Sequence, residues 1–185
     1  MRIVAGQYGG RRLEVPKNRD IRPTSDKVRG SIFNALEARG LLDGANVLDC
    51  CCGTGALGFE ALSRGAVFCS FWDKDKRSLE LAKRNAAMLG LLGQSDFALQ
   101  DVMRLNGAKN DRKYDLLFMD PPYRNDIVGV GLVEVGRNNF LKNGAVCVVE
   151  TEKDFEPDFS DAFLIQSEKI YGDTKVFFVS YKKIL

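Results

Sequence analysis

The 185-residue chain is predicted to fold as an α/β protein: a Rossmann-like, doubly wound, mostly parallel sheet with an antiparallel C-terminal edge pair and an N-terminal β-hairpin extension. Three observations predict it. From Ala45 onward short apolar runs alternate with stretches of helical periodicity, the punctuation of βαβ units. A GxGxxG pattern, Gly53 to Gly58, stands where the first of those runs gives way to a helix. Beyond Phe163 two apolar runs follow one another with no long helix between them, as in an antiparallel pair.

At the N-terminus, Arg2-Ile3-Val4-Ala5 and Arg12-Leu13-Glu14-Val15 flank Gly6, Gly9 and Gly10, which reads as a basic hairpin ended by Pro16. Residues 16 to 24 form a polar loop. Thr24-Ser25-Asp26 then offers N-cap chemistry to a helix carrying Val28, Ile32, Phe33 and Leu36 on one face, stopped by Gly40. Val47-Leu48, ending at Asp49, is the first core strand. A helix about 56 to 64, a strand about 67 to 72, a helix about 75 to 89 and a strand near 96 to 100 follow. The apolar run Tyr114 to Met119, a helix about 127 to 141 and a strand Ala145 to Val149 complete the parallel part. Finally, Phe163-Leu164-Ile165 and Val176-Phe177-Phe178-Val179 flank the turn Tyr171-Gly172-Asp173. Residues 1–185 read as one domain, with 1–24 the hairpin and loop and 25–185 the Rossmann-like core.

Composition narrows the chemistry. With 45% apolar and 28% charged residues the chain falls in the ordinary globular class rather than a disordered or fibrous one. Neither an apolar leader in MRIVAGQYGG nor a run of about 18 apolar residues is found, so a cytoplasmic protein without a membrane partner is expected. Histidine is absent, which removes histidine bases, Ser-His-Asp triads and histidine metal sites. Cys50, Cys51 and Cys52 are consecutive, and alternate strand faces prevent them from chelating one ion; buried thiols and no metal are expected. Residues 1 to 29 carry eight Lys/Arg against three Asp/Glu, which marks this end as a candidate polyanion contact or a solvated arm.

The glycine-rich loop suits a nucleotide-type ligand, because its backbone turns sharply and presents helix N-terminal amides. Asp49 chooses between two such ligands: a carboxylate there repels a pyrophosphate but suits the cationic S-adenosylmethionine, directly or by ordering the loop. Gly53, Thr54 and Gly55 are expected to approach the cofactor, Asp73 with its neighbour Lys74 to reach its ribose, and Asp101 with Val102 its adenine. Asp75 reads instead as an N-terminal partner of the helix dipole.

Leu116 to Met119 runs directly into Asp120-Pro121-Pro122-Tyr123. An exocyclic amine is a poor nucleophile because its lone pair is delocalised into the ring. Asp120 can accept one amino hydrogen and the Pro121 carbonyl the other, the two prolines fix the turn, and Tyr123 offers a stacking face. All four are the expected catalytic residues, for direct displacement from a sulfonium, with the proton leaving during or after attack.

Across nearly its whole length the chain resembles the bacterial small-subunit rRNA guanine-N2 methyltransferases of the RsmD type. The segments that carry the resemblance are MRIVAGQYGGRRLEVP, RPTSDKVRGSIFNAL (22 to 36), VLDCCCGTGALGFEALSRGA (47 to 66) and LLFMDPPY (116 to 123). The resemblance implies an S-adenosylmethionine-methyltransferase fold and methylation of one guanine of 16S rRNA within a partly assembled small-subunit particle; a monomer is expected. It also implies that Arg11, Arg12, Arg22, Thr24 and Arg29 meet the rRNA, the arginines at phosphates. The family commonly has Leu and Phe-Ala where this chain has its cysteines, and Glu where it has Asp73. Three other readings stay open: methylation of adenine N6 or a protein glutamine, an NAD-dependent oxidoreductase, and a noncatalytic RNA-binding protein.

Overall fold

The computed structural model describes residues 1–16, 25–105, 112–122 and 127–183. Its elements run α1 (Asp26–Ala38), β1 (Asn46–Cys50), α2 (Ala56–Ser63), β2 (Phe68–Asp73), α3 (Lys76–Leu89), β3 (Ser95–Leu99), β4 (Tyr114–Met119), α4 (Ile127–Arg137), β5 (Leu141–Glu152), β6 (Phe163–Tyr171) and β7 (Thr174–Tyr181). The strands form one sheet in the order β3-β2-β1-β4-β5-β7-β6. β1 to β5 pair in parallel, while β7 runs antiparallel to both β5 and β6. The doubly wound sheet with an antiparallel edge pair is therefore as the sequence predicts.

Alternation along the strands divides the core into two layers. Val47, Phe71, Phe118 and Phe178 pack with the apolar faces of α1, α2 and α3 on one side of the sheet. Leu48, Trp72, Leu117, Val149 and Phe177 pack with α4 on the other. After β3 the chain returns to the opposite side of β1, so the switch in winding falls between β1 and β4. Crevices at such points, beyond the carboxyl ends of the strands, are where open α/β sheets bind ligands.

Local chemistry accounts for most boundaries. Ser25 caps α1 by accepting from the Val28 amide, and Asp75 caps α3 by accepting from the Arg77 amide. Two elements differ from expectation. The helix predicted to reach 141 stops at Arg137, because Asn139 adopts φ 59° and the amides of Asn139 and Phe140 fold back onto the carbonyls of Gly136 and Val135. Phe140 and Leu141, which continue the apolar periodicity, instead lead into a longer β5.

The second difference lies in the N-terminal hairpin. Residues 1–16 carry a single bridge, Arg2 with Arg12, flanked by a few backbone bonds such as Ile3 to the Arg11 carbonyl. The amides of Val4 and Ala5 are drawn away from cross-strand pairing by the buried Glu60 carboxylate of α2, at 2.6 and 3.0 Å. Gly6, at φ +81°, passes so close to α2 that a Cβ would lie 2.0 Å from the Ser63 carbonyl oxygen. The arm is docked on the core rather than projecting from it. No helix of the described residues is long and apolar enough to cross a membrane.

Candidate active site

A cleft of about 490 Å³ opens at the carboxyl ends of the parallel strands. Gly53 lines it after β1, Asp73, Lys74 and Asp75 after β2, and Asp101 and Val102 after β3. Asp120, Pro121 and Pro122 line it after β4. The glycine loop and the Asp-Pro-Pro turn thus face one cavity because β1 and β4 are hydrogen-bonded neighbours, with Cys50 opposite Met119. Tyr123 lies outside the described residues, as do Arg22 and Thr24.

The three loop glycines serve different ends. A Cβ at Gly53 would meet nothing within 4 Å, so this backbone is open to a ligand. At Gly55 it would lie 2.5 Å from Phe59 Cε2, and at Gly58 2.4 Å from Phe71 Cε1. Those two glycines permit helix α2 to sit close on β2. Gly55 accordingly does not border the cleft, nor does Thr54, whose hydroxyl points to Met1 Sδ at 3.3 Å and whose carbonyl accepts from Asn85. Thr54 and Gly55 thus shape the loop and do not themselves line the cleft.

Asp49 does not border the cleft either. It is buried, and its Oδ2 accepts the Gly58 amide at 2.9 Å, tying the end of β1 to the first turn of α2. Of the two tasks expected for it, ordering the loop is the one its geometry performs. Burial holds its pKa well above the usual carboxylate value; the Gly58 hydrogen bond opposes this, and the charges of Asp120 and Asp73 add to it.

Asp73 does border the cleft, but both carboxylate oxygens already serve the backbone. Oδ2 accepts the Gly53 amide at 3.0 Å and Oδ1 the Asp75 amide at 2.9 Å. Each oxygen keeps a second lone pair for a ligand hydroxyl. Asp101 is exposed and accepts the Met103 amide at 3.0 Å, which fixes the turn that carries the buried Val102. Asp75 caps α3, in line with the helix role read from sequence.

The cleft is also lined by Glu150, Trp72, Gln100, Ser25 and Tyr171, none of which the sequence assigned to the site. Glu150 is 3% exposed and follows Val149, the register partner of Met119. It therefore stands beside Asp120 on the neighbouring strand. The signal that identified Asp73 and Asp101, an acid at the end of an apolar strand, was present in Val148-Val149-Glu150. The strand was expected to end one residue earlier, at Val149.

Five carboxylates, from Asp73, Asp75, Asp101, Asp120 and Glu150, and one lysine, Lys74, line the cleft among the described residues. Such a wall favours a cationic ligand with hydroxyl and amino donors and disfavours a pyrophosphate. Cys51, at φ 59°, also lines it, and its thiol is pushed up to about 12 by burial and by the charges of Asp73, Asp120 and Asp49. A thiol raised that far is mostly protonated at neutral pH and a poor nucleophile.

Of the basic side chains, Arg11 and Arg12 are exposed on the arm, Arg11 lying over the Tyr8 ring at 5.7 Å and donating to the Leu89 carbonyl. Arg29 is otherwise placed: it is 1% exposed, and its Nη2 donates to the Arg2 carbonyl at 2.5 Å and to Asp26 at 2.8 Å. The expected phosphate contact from Arg29 is corrected to an internal tie between α1 and the arm.

The family model described as conserved hypothetical protein 95 matches residues 1–180. Ribosomal RNA small subunit methyltransferase D of Escherichia coli is 33% identical over 173 residues, 93% of this chain and 85% of that protein. The Haemophilus influenzae protein of the same name is 33% identical over 174 residues, 93% of this chain and 89% of its own length. The solved structure of the Escherichia coli protein yhhF superposes with a TM-score of 0.86 at 30% identity, covering 100% of this chain and 99% of that one.

Proposed function

The chain belongs to the conserved hypothetical protein 95 family, and on that premise we propose that it methylates ribosomal RNA, specifically the exocyclic N2 of a guanine in 16S rRNA. The observation that carries the reading is the meeting of Asp120-Pro121-Pro122 with the Gly53 loop in one acid-lined cleft. Support for the target comes from the two relatives named small-subunit rRNA methyltransferases and from the exposed arginines of the arm. A guanine within a small-subunit particle, rather than adenine or a protein amide, is the substrate we assign.

The cofactor is S-adenosylmethionine, and the residues present fit it. The open backbone of Gly53 and the acid wall suit a cationic amino-acid moiety, Asp73 its ribose hydroxyls, and Asp101 with Val102 its adenine. When bound, it supplies an electrophilic methyl group. The chain's own residues then have to prepare the amine. Asp120 accepts one N2 hydrogen and the Pro121 carbonyl accepts the other, which localises the nitrogen lone pair and aims it along the line of attack. Tyr123 is assigned the stacking face for the base. Arg11, Arg12, Arg22 and Thr24 are assigned to hold the RNA backbone.

The test is methylation of 16S rRNA and of small-subunit particles, taken from cells lacking the activity, with methyl-labelled cofactor followed by nucleoside analysis. Labelled N2-methylguanosine is the expected product. Label found in N6-methyladenosine, or in protein alone, would overturn the reading.

A further inference from the structure

The side chain of Asn85 lies inside the molecule, fully buried on α3, and touches two segments that function separates. Its Oδ1 accepts the Glu14 amide at 2.7 Å and its Nδ2 donates to the Glu14 carbonyl at 3.1 Å. One amide thus pairs with the arm as a neighbouring strand would. The remaining Nδ2 hydrogen goes to the Thr54 carbonyl at 3.0 Å, in the middle of the glycine loop. Both hydrogens and the oxygen of the side chain are committed.

The same loop is touched by the arm a second time, through Thr54 and Met1 Sδ. On its other side, Gly53 borders the cleft and donates to Asp73. Asn85 is therefore a polar link between the arm and the loop whose Gly53 backbone borders the cleft. A buried amide of this kind has no alternative partner in water, so the two contacts are made or lost together.

We infer that Asn85 is a positioning residue that couples docking of the N-terminal arm to the conformation of the cofactor loop, so that RNA held by the arm and cofactor held by the loop strengthen each other's binding. The RNA half of this statement rests on the function proposed above; the link between arm and loop does not. Linkage makes the coupling reciprocal: cofactor binding tightens the arm by the same factor that arm docking tightens the cofactor.

The test uses the full chain and S-adenosylhomocysteine, first without RNA. Hydrogen exchange of the Glu14 amide is measured with and without saturating ligand. Slowing by about fivefold or more is expected, the lower range of measured couplings. Asn85→Asp keeps the size and the acceptor but turns an oxygen toward the Glu14 and Thr54 carbonyls. This variant should bind the ligand about tenfold more weakly and lose the ligand-dependent protection of Glu14. With rRNA, its KM for the cofactor should rise about tenfold while kcat at saturation changes less than about threefold.

A residue that merely stabilises the fold would lower Tm and leave those quantities unmoved. Equal protection in both proteins, or wild-type affinity in the variant, overturns the inference. Should Asn85→Asp not fold, the wild-type exchange decides alone, and an unchanged Glu14 rate overturns it. If neither protein methylates rRNA, the proposed function fails while the exchange and affinity results still decide the coupling.

Discussion

Asp49 lies on β1 and Asp120 just beyond the end of neighbouring β4, in different surroundings, and their substitutions should read out differently. Asp120 lines the cleft. In the proposed mechanism Asp120→Ala removes the acceptor that localises the amine lone pair, and methyl transfer should fall about 100-fold or more with cofactor affinity little changed, as measured by single-turnover kinetics and calorimetry. Asp49 is spent on Gly58, and burial chiefly raises its pKa above the usual carboxylate range. An acid whose folded pKa is raised favours folding fully only below its unfolded value, near 4. As pH rises past that value the unfolded chain releases its proton first, and stability declines until the folded group ionises as well. Asp49→Asn cannot show this decline. Urea melts from pH 4 to 8 should therefore show the variant gaining stability relative to the parent as pH rises; parallel curves would contradict the raised pKa. Glu150 and Arg29 show the limit of residue-level reading. Their letters say acid and base, but register placed one in the cleft and packing placed the other in the interior.

At the scale of elements, the tight seat of α2 on β2 depends on absent side chains. Gly58→Ala would press a methyl to 2.4 Å from Phe71 Cε1 and 2.6 Å from Cys69 Sγ. Such overpacking costs about 1–3 kcal/mol, and each kcal/mol should lower Tm by about 2–4 °C in a chain of this size, measurable by calorimetry. The arm depends on a buried charge. Glu60 accepts from Val4, Ala5 and Arg64, and Glu60→Gln leaves at least one of these donors facing an amide hydrogen. A loss of about 3 kcal/mol is expected, with earlier proteolysis of residues 1–16. Unchanged stability and cleavage would mean that the arm is held elsewhere. Strand and helix succession was legible because alternation, caps and glycine stops are local. The end of α4 was not, since Asn139 reads as an ordinary polar residue until its backbone turns left-handed. The hairpin pairs less than its sequence suggests because the amides of Val4 and Ala5 pair with Glu60, 56 and 55 positions away in the sequence.

At the scale of the molecule, five acids line the cleft while Arg11 and Arg12 stand exposed on the arm. That distribution predicts that S-adenosylhomocysteine binds and NAD does not, a contrast titration calorimetry can make; NAD binding would reopen the oxidoreductase reading. It also predicts that Arg11→Ala or Arg12→Ala weakens rRNA binding and reduces the salt slope by about 1 each, measured by filter binding across salt concentrations.

By itself the sequence determined the alternation of strands and helices, the glycine loop, and the rigid Asp-Pro-Pro turn, because hydrophobic period, turn chemistry and proline geometry act over a few residues. Only the tertiary structure decided which acids line the cleft, why Thr54 does not, and how Asn85 joins the arm to the loop. Those outcomes are set by strand register and by contacts between segments distant in the chain, where burial rather than residue type decides what a polar group must satisfy.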